Sequence, residues 1–147
     1  VQKALLERGM ALDFWKIAMR PGKPLMFGRI GPKLAIGLPG NPVSSTVCGV
    51  IFVQPMIRTM LGRPDVAPAV TTVRLGRALL ANDAREDYLR ASLDPAGDGI
   101  PVATPFARQD SAMMALMAAA EALVIRPAFA PAAGQGELAP AILLGRR

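Results

Sequence analysis

Three cations, Lys16, Arg20 and Lys23, fall within eight residues of one another, and the loop Pro39-Gly40-Asn41-Pro42 follows them. Side chains of this type neutralise phosphates and oxyanions. Gly40 lets the backbone approach a ligand with no side chain in the way, and the flanking prolines hold the loop rigid before anything binds. Asn41 suits a helix N-cap, and Pro42 suits the first helical position, where its missing N–H costs nothing. The loop therefore opens a helix whose free N–H groups and dipole favour an anion. If Lys16 and Arg20 share one strand, their even spacing puts them on one face. The plainer alternatives are a tight turn at 39–42 and solvated surface charges at 16, 20 and 23.

Acid–base chemistry has little to work with. The first 65 residues hold only Glu7, Asp13 and Asp65, none of them in these loops. The chain has no histidine and one cysteine, which argues against Ser/His or Cys/His nucleophile pairs and zinc sites. The basic residues would hold and neutralise anions, while a base or metal ligands come from elsewhere. Cys48, inside an apolar helix, reads as a core thiol. Met113, Met114 and Met117 read as core filler, and Ser111 as a helix cap.

The elements that would position these residues come next. Val1–Arg8 is spaced as a helix stopped by Gly9. Leu12–Met19 reads as a strand leading into the Arg20-Pro21-Gly22-Lys23-Pro24 turn. Leu25–Ile30 and Lys33–Leu38 are short runs joined by Gly31-Pro32. The second has no polar face, which predicts a strand covered on both sides, as in an α/β sheet where ligands sit at strand ends. Val43–Leu61 is long enough only for a helix, kinked one turn before Pro55 and ended by Gly62 and Pro64. Val66–Thr72 reads as a linker. Beyond it Thr71–Leu75, Asp87–Leu93, Ile100–Thr104, Leu123–Arg126 and Leu138–Leu144 predict a small β domain, with one helix over Ser111–Ala120.

The chain has 147 residues, 52% of them hydrophobic, and a net charge of +6. It is expected to fold as one ordinary domain or two small ones. The serines and threonine of Val43–Val53 and Glu121 break the apolar runs, so no membrane span is expected. A single cysteine and an opening without a signal-peptide pattern fit a reducing, cytoplasmic setting. An opening valine in mid-helix suggests the back portion of a longer protein. Residues 1–65 carry nine Lys and Arg against three acids, whereas the rest is balanced at eight and eight. That excess marks an anionic partner. With five Phe, one Trp and one Tyr, spread out, stacking on single-stranded nucleic acid is disfavoured.

The segment Phe14-Trp15-Lys16-Ile17-Ala18-Met19-Arg20-Pro21-Gly22-Lys23-Pro24, followed by Gly37-Leu38-Pro39-Gly40-Asn41-Pro42-Val43-Ser44, resembles the molybdopterin molybdenumtransferases of the MoeA type, relatives of the gephyrin E domain. The resemblance extends through Gln109-Asp110-Ser111 to the C-terminus. It implies that residues 1–65 are the C-terminal part of a three-layer α/β/α molybdopterin-binding domain and that 66–147 form a β-barrel-like domain. It implies insertion of molybdate into adenylylated molybdopterin with Mg²⁺ and release of AMP, in a cytoplasmic homodimer that could contact the molybdopterin adenylyltransferase. By position it implies catalytic roles for Lys16 and Arg20. Substrate contacts follow for Lys23, Pro39, Gly40, Asn41, Pro42, Ser44 and Ser111, with no metal ligand in this chain. Arg20 stands where many members carry lysine, and Asp110 where glycine is frequent. The family's Gly-rich, acidic segment is expected before Val1, so the chain alone is expected to be inactive. A non-catalytic scaffold of the same family and a basic nucleic-acid-binding module are the alternatives.

Overall fold

The computed structural model describes residues 2–109 and 113–145. Helix α1 (Gln2–Glu7) stops at Gly9, whose φ of 82° lets the Gly9 and Met10 amides donate back to the Leu6 and Leu5 carbonyls. Strands β1 (Ala11–Phe14), β3 (Met26–Ile30) and β4 (Lys33–Gly37) make an antiparallel sheet in the order β1-β3-β4. The β3–β4 connection is the two-residue turn Gly31-Pro32, with Gly31 at φ 57°. At Gly28, in the middle strand, a Cβ would collide with the Ala11 carbonyl oxygen, so glycine is what lets β1 and β3 approach.

Two expectations for this region are corrected. The predicted strand Leu12–Met19 is broken: β1 ends at Phe14, and Met19–Arg20 form β2 in a different sheet. Lys16 and Arg20 therefore share neither a strand nor a face. Burial of Met19, 5% exposed, among Val43, Val47 and Tyr88 outweighs continuing the ladder. The run Lys33–Leu38 is not covered on both sides, because β4 is an edge strand of an antiparallel sheet and not an interior parallel one. Leu34 and Leu38 are 40% and 42% exposed.

The long helix forms as its cap signals require, with the Asn41 carboxamide oxygen accepting from the Val43 and Ser44 amides. It runs as α2 (Pro42–Cys48), a widened π-type segment over Gly49–Val53, and α3 (Gln54–Met60). The Gln54 amide reaches back five residues to the Gly49 carbonyl. The widening falls directly before Pro55, which removes one amide and crowds the preceding turn. Pro42–Met60 spans 19 residues at a mean hydropathy of 1.2, so by length and composition it could cross a bilayer, contrary to expectation. In the chain, its Val43 and Val47 pack against Leu123 and Ile142.

The second sheet is a barrel. Strands β5 (Val70–Leu75), β6 (Glu86–Asp94), β7 (Val102–Pro105), β8 (Ala122–Arg126) and β9 (Leu138–Leu143) run in the order β6-β7-β5-β9-β8, and β8 pairs back onto β6 to close the ring. Only β5 and β7 are parallel within the ring. Each strand lies within two residues of the run that predicted it. A narrow barrel needs small inward residues, and its core is Val73, Leu75, Val124 and alanines at 91, 103, 122, 139 and 141. Leu123 and Ile142, each next to an inward residue, face outward into the helix-bearing core. Strand β2 lies parallel on the edge of β6, pairing Met19 with Glu86 and Arg20 with Asp87. The predicted boundary near residue 66 is thus bridged by a strand and by α2.

Helix α4 (Met114–Ala119) is shorter than predicted, and Met113 occupies its cap position without a side-chain hydrogen bond. Ser111 lies outside the described residues. Of the three methionines read as core, Met117 is buried and Met114 is 43% exposed.

Cys48 is buried, as the sequence implied, and its thiol lies 4.0 Å from the Gly22 carbonyl oxygen. Burial pushes the thiol up to about 11 from 9.0. A hundredfold smaller thiolate fraction follows. Thiol reagents at pH 8 are expected to label Cys48 only at the rate of unfolding. Because the folded value is raised, the associated stability is whole below pH 9 and declines as pH rises through about 11. Rapid labelling of folded protein would contradict this packing.

Candidate functional site

Strand β2 hands the chain into the turn Pro21-Gly22-Lys23-Pro24, in which both X-Pro bonds are cis. Gly22 has a φ of 150°, and a Cβ there would press on the Met19 side chain at 2.9 Å. The turn is thereby folded tightly against β2, with α2 behind it through Cys48. A cleft of about 330 Å³ opens beside it. Its lining brings together Arg20, Lys23 and Ser44 with Arg85 and Gln109. Three cations therefore converge from two separate parts of the chain.

The charges are partly committed. Arg20 donates through Nε to Asp87 Oδ1 at 2.9 Å and through Nη2 to Asp87 Oδ2, and its Nη1 lies 3.6 Å from Asp83. Asp87 is nearly buried, with a side chain 7% exposed, whereas that of Arg20 is 47% exposed. The arginine fork is therefore the cover of a buried carboxylate as well as a wall of the cleft. Arg85 brackets Asp83 through Nε and Nη2 at 3.2 and 2.5 Å. That hydrogen bond, with a smaller contribution from Arg20, draws the Asp83 carboxyl down to about 2. Two carboxylates thus offset two arginines, and Lys23 makes no ion pair among the described residues. The cleft keeps a net positive charge centred on Lys23.

Gln109 is fixed from all sides. Its Oε1 accepts from the Arg90 amide at 3.0 Å and its Nε2 donates to the Arg90 and Phe106 carbonyls at 2.9 and 3.0 Å. It thereby sets where the chain leaves β7 toward residues 110–112, which lie outside the described residues.

The other predicted residues are placed differently. Lys16 does not line this cleft; its ammonium stands 4.5 Å above the Trp15 ring. Pro39 is buried and its carbonyl accepts from the Ser45 hydroxyl, while Gly40 and Pro42 are exposed. Pro39, Gly40, Asn41 and Pro42 lie outside the cleft lining. The Val43 and Ser44 amides, expected to be free for an anion, are already taken by Asn41. The positive charge at this cleft is carried by side chains, not by free helix amides. Sequence reasoning missed Arg85, Asp87 and Gln109. Alternating charges at 83–87 look like a solvated rim, and nothing local links residue 87 to residue 20, 67 positions away.

Among the described residues, no three or more acidic, cysteine or histidine side chains cluster to hold a metal. Asp83 and Asp87 are both held by arginines, so the residues present do not fit a Mg²⁺ ion.

Residues 72–144 match the MoeA C-terminal region (domain IV). The chain is 42% identical over 82 residues to a molybdopterin molybdenumtransferase of Haemophilus influenzae, covering 52% of this chain and 20% of that protein. It is 33% identical over 149 residues to the Drosophila melanogaster molybdenum cofactor synthesis protein cinnamon, covering 98% of this chain and 24% of the relative. Among solved structures, a molybdopterin biosynthesis MoeA protein from Pyrococcus horikoshii superimposes with a TM-score of 0.77 at 23% identity, over 99% of this chain and 35% of that one. The chain spans only a fifth to about a third of the length of these relatives.

Proposed function

The chain belongs to the molybdopterin molybdenumtransferase family, to whose MoeA-type C-terminal portion it corresponds, and on that premise we propose that its cleft binds the phosphorylated end of molybdopterin in molybdenum cofactor biosynthesis. The convergence of Arg20, Lys23 and Arg85 around one cleft beside a rigid turn is the observation that carries this reading. In the full-length protein the reaction is insertion of molybdate into adenylylated molybdopterin with release of AMP. Lys23 and Arg85 neutralise the bound anion, Ser44 offers a hydroxyl at the cleft wall, and Arg20 holds the cleft to the barrel.

This portion is inactive alone. Any Mg²⁺ ligands, and carboxylates that act as bases, come from other parts of the protein or from its partner in a cytoplasmic homodimer. Residues 1–65 complete a three-layer α/β/α domain there, which agrees with the exposed Leu34 on edge strand β4 and the exposed Leu38 just after it. Lys16 then acts from outside the cleft described here. Nucleic-acid binding is disfavoured because the chain has only five Phe, one Trp and one Tyr, spread out, on which bases could stack.

The test is turnover by the full-length protein carrying Lys23→Ala. Molybdenum cofactor formation and AMP release are expected to fall roughly a hundredfold. Thermal stability should hold, because Lys23 is exposed and makes no ion pair among the described residues. Undiminished turnover in this variant would overturn the assignment.

A further inference from the structure

The charged residues that line the Lys23 cleft are Arg20, Lys23 and Arg85, and Asp83 meets both arginines from outside that lining. Its carboxylate takes two arms of the Arg85 guanidinium, Nε on Oδ1 at 3.2 Å and Nη2 on Oδ2 at 2.5 Å, and stands 3.6 Å from Nη1 of Arg20. A guanidinium fork suits a carboxylate or a phosphate, and one edge of it cannot serve both at once. The Nε–Nη2 edge of Arg85 is therefore closed to a ligand as long as Asp83 holds it.

The carboxylate is firmly placed, but its ion pair is open to water. The Asp83 amide donates to Asn82 Oδ1 at 3.0 Å, and the Asp83 carbonyl accepts from the Phe129 amide at 2.7 Å. Oδ1 also accepts from the Arg85 amide at 2.9 Å. The hydrogen bond from Arg85 draws the carboxyl down to about 2, so it stays ionised at neutral pH. The Asp83 and Arg85 side chains are 47% and 39% exposed, and an ion pair so hydrated is weak. A phosphate group carries about two charges at neutral pH and meets Lys23 in the same cleft, so it displaces a single hydrated carboxylate. Backbone bonds keep that carboxylate beside the fork, ready to return. We propose that Asp83 is a built-in competitor for the bound anion: it occupies the Arg85 fork when the cleft holds no ligand, yields it to a phosphate group, and takes it back when product leaves. The proposal rests on the reading of the Lys23 cleft as a phosphate site and adds the residue that sets its affinity.

The test is calorimetric titration of the full-length protein with inorganic phosphate at fixed ionic strength. Asp83→Asn keeps an acceptor oxygen for the Arg85 amide and removes the charge, so phosphate is expected to bind about fivefold more tightly, with no change in melting temperature. Damage to a structural contact would weaken binding, so the direction of the change is diagnostic. In the Arg85→Ala protein, which lacks the fork, adding Asp83→Asn is expected to shift the affinity by less than about twofold. Unchanged or weaker phosphate binding in Asp83→Asn overturns the proposal. So does an equal gain in the Arg85→Ala background, which would make Asp83 a general repulsive charge. Lys23→Ala reports separately on the site itself. Weaker phosphate binding in that variant, with no gain in Asp83→Asn, removes the competitor and leaves the phosphate site standing, whereas phosphate binding to none of the proteins removes both.

Discussion

Replacing Arg20 by alanine is expected to destabilise the protein by about 3 kcal/mol, whereas replacing its partner Asp87 by asparagine costs about 1 kcal/mol. The asymmetry follows from burial. Asp87 has a side chain only 7% exposed and its hydrogen bonds come from Arg20, so removing the arginine strands a buried carboxylate. Arg20 is 47% exposed, so it returns to water and to Asp83 when Asp87 is neutralised. In Arg20→Ala/Asp87→Ala together, most of the loss is expected to be recovered, because no buried charge remains. Urea unfolding of the three variants measures this. Equal losses in the two single variants would show that the pair is no more than a surface contact.

The same pair bears on the site. Strand β2 is only two residues long, and its register on β6 places Arg20 beside Asp87. An Arg20→Ala effect on turnover therefore mixes loss of a cation with loss of the docking that shapes the cleft. The double variant separates the two: a folded, inactive protein assigns Arg20 to the ligand, and a folded, active one assigns it to the scaffold.

Much of this was legible in the sequence. Asn41-Pro42 marked the start of the long helix, Pro55 its irregularity, and short apolar runs between Gly, Pro and Asp marked the five barrel strands. Lys23 and Arg20 were picked out by charge density. What misled was burial read from hydropathy alone. The run Lys33–Gly37 is apolar on both faces yet forms an edge strand, because position in a sheet is not a local property. Lys16 and Arg20 lie close in sequence but sit in different sheets' reach, since burying Met19 on the barrel breaks the strand between them. Arg85 and Asp87 join the site through the pairing of β2 with β6, and Gln109 through its hydrogen bonds to the Arg90 backbone; those long-range contacts leave no trace in residue spacing. The charge excess of the first half was also an incomplete guide, because its Arg20 is answered by acids from the balanced half.

The most direct test of the central claim is the affinity of the full-length protein for molybdopterin when Lys23 and Arg85 are both replaced by alanine. Neither change should unfold the chain: Lys23 is exposed, and the Asp83 that Arg85 releases is exposed as well, at 47%. Each cation lost removes a charge-assisted contact to phosphate, so affinity is expected to fall about a hundredfold or more in the double variant, with a weaker dependence on salt and an unchanged melting temperature. Molybdopterin binding within about twofold of the parent protein would contradict the placement of its phosphate in this cleft.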